Sequence, residues 1–181
     1  MPDAILVKLT FDSLCETLQQ AGYRVEKVTD PVANIRHLRS STGGLAFDIY
    51  PGNRLAGDDL SFADVSFVAV LWVQGELPLE LANRWNMTRR FARLQLSQLG
   101  QPFLVFCMDV SVAGGVTPAH LRLQIETWDR LAQELVSYLR DELRKLGEAR
   151  GATPHVASNG PQSPAPQRDG RAQPEPAATV Q

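Results

Sequence analysis

Residues 103–146 read FLVFCMDVSVAGGVTPAHLRLQIETWDRLAQELVSYLRDELRKL. The first ten carry apolar side chains on both alternating faces of an extended chain, which predicts a strand that needs cover on either side. Thr117-Pro118 then begins a helix, because an N-cap residue is followed by proline in the first turn. Apolar residues recur at helical spacing from Leu121 to Leu146, so a long amphipathic helix should follow the strand.

The segments before residue 103 predict an antiparallel sheet and two shorter helices. A first helix begins at Thr10 and ends at Gly22, and Leu77–Asn86 is compatible with a second, short one. Val65–Val73 is apolar on both faces and predicts a well-covered central strand. The other predicted strands are Tyr23–Thr29, Ile35–Arg39, Leu45–Tyr50 and Phe91–Leu99, with glycine turns at Gly43-Gly44 and Gly100-Gln101 and a polar loop at Pro51–Leu60. We therefore expect an α+β fold in which helices pack mainly on one face of an antiparallel sheet.

Composition divides the chain into two parts. Apolar residues recur up to Leu146, whereas the rest is mostly Ala, Pro, Gln, Gly and Ser, with prolines at 154, 161, 164, 166, 174 and 176. Such a composition cannot bury enough apolar area to offset the entropy of ordering the chain. We expect one domain at residues 1–147 and a disordered Pro/Ala/Gln-rich tail at residues 148–181.

Charge and hydropathy exclude several classes of protein. A formal net charge of -2 gives no overall case for nucleic acid or an anionic membrane. Apolar runs are too short to span a bilayer, and the N-terminus lacks the pattern of a signal peptide. We expect a cytoplasmic protein with no membrane partner. Cys15 and Cys107 lie in separate apolar runs and are interpreted as reduced core cysteines.

No residue pattern points to catalysis or to a cofactor. His37 and His120 have neither metal-ligand spacing nor cysteine neighbours, which favours surface residues, and His155 lies in the tail. Gly114-Gly115 is not followed by the residues of a phosphate loop, and no nucleophile elbow is present. The sequence therefore predicts no catalytic, cofactor-binding or metal-binding residue, and a protein that is not an enzyme.

Four arginines form a local cluster in sequence: Arg84, Arg89, Arg90 and Arg93. No acidic residue occurs between Leu81 and Met108. The cluster could form a docking patch for phosphate groups or an acidic partner. Alternatively, its members pair with Asp or Glu elsewhere in the fold, as structural arginines often do.

One pattern around these arginines resembles the YbjN-like family of bacterial proteins, which are labelled sensory transduction regulators. The matching residues are Trp85-Asn86, Arg90-Phe91, the hairpin that follows, Gly114-Gly115-Val116-Thr117, and Trp128 within the last helix. The resemblance implies a fold similar to type III secretion chaperones, often dimeric, which binds other polypeptides and has no established catalytic activity. We expect Trp85 to anchor the short helix, Asn86 to satisfy backbone groups at its end, and Phe91 to enter the sheet.

Two hypotheses for function follow. The first is a homodimeric, chaperone-like adaptor for a client protein that the sequence does not identify. Its interface would be a sheet face left bare by the helices: Val68, Val70, Trp72, Phe103, Val105 and Cys107. The second, less favoured, is direct binding of nucleic acid or phosphorylated ligands through Arg84, Arg89, Arg90 and Arg93.

Overall fold

The computed structural model describes residues 4–73, 76–97 and 102–151. Within these ranges the chain forms three helices and eight strands. They are α1 (Phe11–Gln20), β1 (Glu26–Thr29), β2 (Arg36–Thr42), β3 (Leu45–Pro51), β4 (Arg54–Leu55), β5 (Asp58–Phe62), β6 (Asp64–Trp72), α2 (Leu79–Thr88), β7 (Arg93–Ser97), β8 (Phe103–Ser111) and α3 (Pro118–Gly151).

Six of the strands form one antiparallel sheet. Their order is β1-β2-β3-β6-β8-β7, and β4 and β5 form a separate two-stranded sheet. β6 and β8 are interior strands and pair along their full length, from Asp64 opposite Ser111 to Trp72 opposite Phe103. A two-residue turn joins β2 to β3, and Gly43 and Gly44 supply the positive φ angles, 55° and 83°, that such a turn requires. The predicted α+β class is confirmed.

The first helix begins as its sequence predicts. The backbone N–H of Ser13 donates to Oγ1 of Thr10 at 3.1 Å, and the N–H of Thr10 donates to Oγ of Ser13 at 3.0 Å. This reciprocal cap satisfies donors that the helix itself leaves free. Leu14 and Leu18 then turn inward and are fully buried.

The three helices pack on one face of the sheet around two tryptophans. The ring of Trp128 in α3 lies 5.4, 5.5 and 5.0 Å from the rings of Phe47, Phe67 and Phe106. Trp85 in α2 lies 5.5 Å from Phe106. Both tryptophans are completely buried. Because Phe47, Phe67 and Phe106 come from β3, β6 and β8, this aromatic group ties the long helix to the three central strands.

The prediction of a polar loop at Pro51–Leu60 is wrong. The segment contains β4 and most of β5, which pair across a turn where Gly57 has a φ of 79°. A residue outside the hairpin also binds β5: the backbones of Phe62 and Leu9 exchange two hydrogen bonds of 2.9 Å. These long-range bonds and the burial of Phe62 stabilise a hairpin whose own residues lack the apolar alternation of a strand.

Several predicted boundaries shift. β1 begins at Glu26 instead of Tyr23, and α3 continues to Gly151, past the domain boundary predicted at Gly147. The predicted turn at Gly100-Gln101 and residues 152–181 of the predicted tail lie outside the described residues. None of the helices described is at once long enough and apolar enough to cross a bilayer.

Candidate interaction surface

One face of the six-stranded sheet, here called the open face, is turned away from the helices. Paired residues of antiparallel strands share a face, so the pairs Val68–Cys107, Val70–Val105 and Trp72–Phe103 all belong to it. Their sequence neighbours on β6 and β8 point into the core. The prediction that the central strand is well covered is therefore wrong for one face: Val70 is 46% exposed and Trp72 is 66% exposed.

The structure brings together all six residues predicted as an interface. We call them the apolar strip: Val68, Val70, Trp72, Phe103, Val105 and Cys107. The rings of Trp72 and Phe103 are in contact, with centroids 5.2 Å apart and planes at 51°. Val68, Phe103 and Val105 are half-buried. The strip is thus a continuous apolar surface across the two central strands.

Cys107 is the buried member of the apolar strip, although no helix lies over it. Nη2 of Arg93, its neighbour on β7, lies 3.7 Å from the Cys107 Sγ. The same Nη2 donates to Oδ2 of Asp109 at 2.8 Å, and the hydroxyl of Ser66 donates to Oδ1 at 2.6 Å. The Ser66 hydroxyl, and then Arg93, lower the pKa of Asp109 below its usual value. This network holds the arginine side chain in place over the cysteine.

The opposite end of the open face is charged. Arg39 on β2 donates from Nε and Nη2 to the two carboxylate oxygens of Asp48 on β3, at 2.7 and 3.0 Å. The hydroxyl of Tyr50 lies 3.4 Å from the same carboxylate, and burial, followed by the charge of Asp48, raises the pKa of Tyr50. The sequence-based prediction did not include this pair. A signal was present, because the neighbours of Arg39 and of Asp48 along each strand are buried, and such alternation indicates a solvated sheet face.

His37 lies beside this ion pair and is not the surface residue that its sequence context favours. It is 3% exposed, and its ring is 4.9 Å from that of Tyr50. Its Nε2 lies 3.6 Å from Oδ1 of Asp48 and has no hydrogen-bond partner among the residues that the structure describes. The other candidate, His120, is exposed at the start of α3. No group of three His, Cys, Asp or Glu side chains suited to a metal ion occurs among the described residues.

The family motif closes one edge of the sheet. Trp85 is buried as predicted, and its indole N–H donates to the carbonyl of Ala92 at 3.3 Å. The Asn86 amide takes up both backbone groups of Leu94: Oδ1 accepts from the N–H at 2.9 Å and Nδ2 donates to the carbonyl at 2.8 Å. Asn86 therefore satisfies backbone groups of the edge strand β7, and not those at the helix end where we expected it to act.

Phe91 does not enter the sheet, contrary to the prediction. It precedes β7, is 63% exposed, and has a φ of 75°. The guanidinium of Arg90 lies over its ring at 5.3 Å. A positive φ is unfavourable for a residue with a Cβ atom, so the turn between α2 and β7 stores backbone strain at an exposed aromatic residue.

The second part of the motif forms the connection from β8 to α3. Gly114 and Gly115 both have positive φ angles, 82° and 91°. A Cβ atom on Gly115 would lie 2.6 Å from Cγ2 of Ile5, whose neighbour Leu6 pairs with Val116. Thr117 caps α3, since its Oγ1 accepts from the N–H of His120 at 3.1 Å.

The four clustered arginines do not form one surface. Arg84 pairs with Glu142 at 3.3 Å and Arg89 with Glu134 at 2.9 Å, both on α3, whereas Arg93 pairs with Asp109 on the open face. Arg90 lies over Phe91. Three of the four thus have the carboxylate partners that the structural alternative predicted, and the cluster divides between two sides of the molecule.

One family of known proteins matches most of the chain. A family model described as "Putative bacterial sensory transduction regulator", named YbjN, matches residues 10–141. The chain belongs to the YbjN family. Among solved structures, a match to this YbjN-family chain is the crystal structure of YbjN from E. coli, described as a putative transcription regulator. The two share 19% sequence identity over 68% of this chain and 85% of that chain, with a TM-score of 0.49. No curated protein matches significantly.

Proposed function

We propose that this YbjN-family chain is a non-enzymatic, cytoplasmic interaction protein whose open face binds another polypeptide. The first such polypeptide is a second copy of the chain, in a homodimer, and the dimer acts as a chaperone-like adaptor or regulator for a client protein. The observation that carries the proposal is the exposure of Val70 and Trp72 on β6, an interior strand of the sheet.

The energetic reason is the position of these side chains. An antiparallel sheet commonly leaves one face in water, and that face then carries mainly polar side chains, because apolar area left in water lowers stability. Full burial of an exposed apolar side chain such as Val contributes about 1.5–3 kcal/mol. The members of the apolar strip are already partly covered, so covering the rest of each would contribute a fraction of that amount. Association costs translational and rotational freedom. Burial of the apolar strip can offset this cost only if the partner surface is extended and complementary.

The size of the open face suits a protein partner. With strands about 4.8 Å apart and a rise of about 3.3 Å per residue, six strands of up to nine residues span roughly 24 Å by 30 Å. That footprint is comparable to the roughly 800 Å² that each partner buries in a standard interface. A small ligand would leave most of it bare.

The charges beside the apolar strip favour a second copy over a strongly charged client. The Arg39–Asp48 and Arg93–Asp109 pairs are each neutral overall and lie on the same face as the strip. In a twofold dimer one open face meets a second open face, so internally neutralised pairs avoid repulsion between like charges wherever they lie on it.

The test is the oligomeric state of the full chain by light scattering after size-exclusion chromatography. We expect the wild type to be a dimer and Val70→Glu and Trp72→Glu to be monomers. Both positions are exposed in a single chain, so the variants should fold. The matched control is Leu123→Glu, because Leu123 on α3 is 57% exposed and lies on the helix side of the sheet.

A monomeric wild type at about 100 μM would contradict the homodimer. So would dimers that persist in both open-face variants, or a control variant that dissociates equally. Thermal unfolding of each variant separates loss of association from loss of folding.

A further inference from the structure

A concave region lies at the β1–β2 end of the sheet, and its lining includes His37 but no residue of the apolar strip. It is a cleft of about 400 Å³ between the start of α1, strands β1 and β2, and Leu60 on β5. Sites for small ligands commonly occupy about 300–1,000 Å³. The cleft is therefore large enough for a small organic molecule and too small for a folded partner.

The apolar wall of the cleft is fixed by the core. The Phe11 ring is half-buried and meets the buried ring of Phe62 edge-on, with centroids 5.4 Å apart. Leu60 borders the cleft beside it and is 65% exposed. The core already sets the position of the Phe11 ring, so a ligand would not need to order it. Leu60 extends this apolar surface at the rim of the cleft.

The charged wall of the cleft has more cations than carboxylates. Lys27 and Asp12 pair at 2.5 Å across it. Arg36 lies with its guanidinium 5.6 Å from the centroid of the Phe11 ring and takes part in none of the ion pairs found among the described residues. A smaller adjoining cavity of about 110 Å³ shares Phe11, Arg36 and Leu60 and adds Arg54.

Arg36 is the feature that decides the class of ligand. A guanidinium beside an aromatic ring, with donors that no carboxylate of the described residues engages, is suited to bind a carboxylate or a phosphate. The amides at the start of α1 are not needed for this, since Thr10 and Ser13 already cap that helix. An uncharged apolar ligand would gain the contact with Phe11 and Leu60 but would leave the arginine without an anionic partner.

We infer that this cleft binds a small organic anion, with its apolar body against Phe11 and Leu60 and its carboxylate or phosphate on Arg36. Lys27 lines the same cleft and is paired with Asp12. No residue of the apolar strip lines the site, so it does not depend on the proposed dimer.

The test is a titration of the isotope-labelled full chain, followed by backbone amide NMR shifts. The probes are benzoate, phenyl phosphate and the uncharged benzamide. We expect saturable shifts centred on Phe11, Thr29 and Arg36 with the two anions at about 10 mM or below, and at least tenfold weaker binding of benzamide. The anion that binds more tightly shows whether the site prefers a carboxylate or a phosphate.

Two variants test the assignment. Arg36→Gln should weaken binding of the anions by about tenfold or more, and Leu60→Ser should weaken it severalfold, while Arg24→Gln, an exposed control outside the cleft, should leave it unchanged. The inference is overturned if neither anion gives saturable shifts in the cleft, if benzamide binds as well as benzoate, or if Arg36→Gln and Arg24→Gln behave alike. Thermal unfolding of both arginine variants shows that each is folded.

Discussion

The side-chain amide of Asn86 binds the backbone of Leu94 as a neighbouring strand would, with hydrogen bonds of 2.9 Å to its N–H and 2.8 Å to its carbonyl. β7 is the last strand of the sheet, so its outer edge would otherwise present these groups to solvent or to another chain. A single side chain thus ends the hydrogen-bond ladder at this edge.

Replacing Asn86 should therefore destabilise the fold. We expect Asn86→Ala to lower the free energy of unfolding by about 1–3 kcal/mol, because two backbone groups lose their partners. Urea unfolding gives the measurement, and Asn83→Ala is the control because Asn83 is an exposed residue of the same helix. Equal effects of the two substitutions would argue against the strand-like role of Asn86.

The two glycines before α3 should differ in their tolerance of alanine. Gly114→Ala introduces only the strain of a positive φ, about 1–2 kcal/mol, since nothing lies within 4 Å of the added Cβ. Gly115→Ala adds the collision with Ile5 and should cost more. Denaturant unfolding of both variants measures the difference. The packing of residues 4–9 against this turn would be in doubt if Gly114→Ala were the more harmful change.

Strain at Phe91 predicts an unusual preference for glycine. Both Phe91→Gly and Phe91→Ala remove the exposed ring, but only glycine accepts a φ of 75° without cost. We expect the glycine variant to be the more stable by about 1 kcal/mol.

Met87 supplies the matched comparison for Phe91. It is exposed within α2, where Met87→Gly should be less stable than Met87→Ala by about 1 kcal/mol. Stability of the four variants is compared by thermal unfolding. The same order at both positions would mean that the backbone at Phe91 is unstrained.

The Asp109 network predicts a dependence of stability on pH. Because its folded-state pKa is lowered, chiefly by Ser66, Asp109 stabilises the fold above the unfolded pKa of about 3.9, and this contribution disappears as the pH falls through the lower folded-state pKa. The pair is exposed, so the effect should be about 1 kcal/mol or less. The difference in unfolding free energy between wild type and Asp109→Asn should shrink from pH 7 to pH 2.

Ser66→Ala tests the cause of that shift. Without the Ser66 hydroxyl, carboxyl NMR signals of Asp109 should titrate at a higher pH than in the wild type. If the pKa of Asp109 were the same in Ser66→Ala as in the wild type, Arg93 would be the cause of its lowering instead.

The four arginines should not bind single-stranded DNA as a group, since three already engage carboxylates on two sides of the molecule. We expect no affinity in fluorescence anisotropy at low salt. Binding that falls steeply with salt, with a slope flattened by Arg89→Ala together with Arg93→Ala, would instead support the nucleic-acid alternative.

Local patterns were sufficient to predict much of the fold. Thr10, Thr117 and the glycine turns specify where helices and hairpins begin, and runs that are apolar on both faces mark β6 and β8. The second apolar face of these runs predicts the apolar strip. These features act over a few residues, so a single sequence contains them.

The features that sequence analysis missed depend on partners distant in sequence. The β4–β5 hairpin relies on Leu9, His37 is buried beside Tyr50 and Asp48, and Arg84 and Arg89 find their carboxylates on α3. The prediction for Phe91 failed for a local reason. An apolar residue next to a strand is predicted to belong to that strand, but Phe91 lies in the turn before it. Composition cannot distinguish these cases without the tertiary structure.

The placement of the three tryptophans gives this protein a built-in optical reporter. Trp85 and Trp128 are sealed in the core, whereas Trp72 is 66% exposed in the apolar strip. Emission at long wavelength, and its collisional quenching by iodide, therefore arise from Trp72 in the folded chain. A blue shift on raising the protein concentration, or on adding a client, would record the covering of the open face without any label.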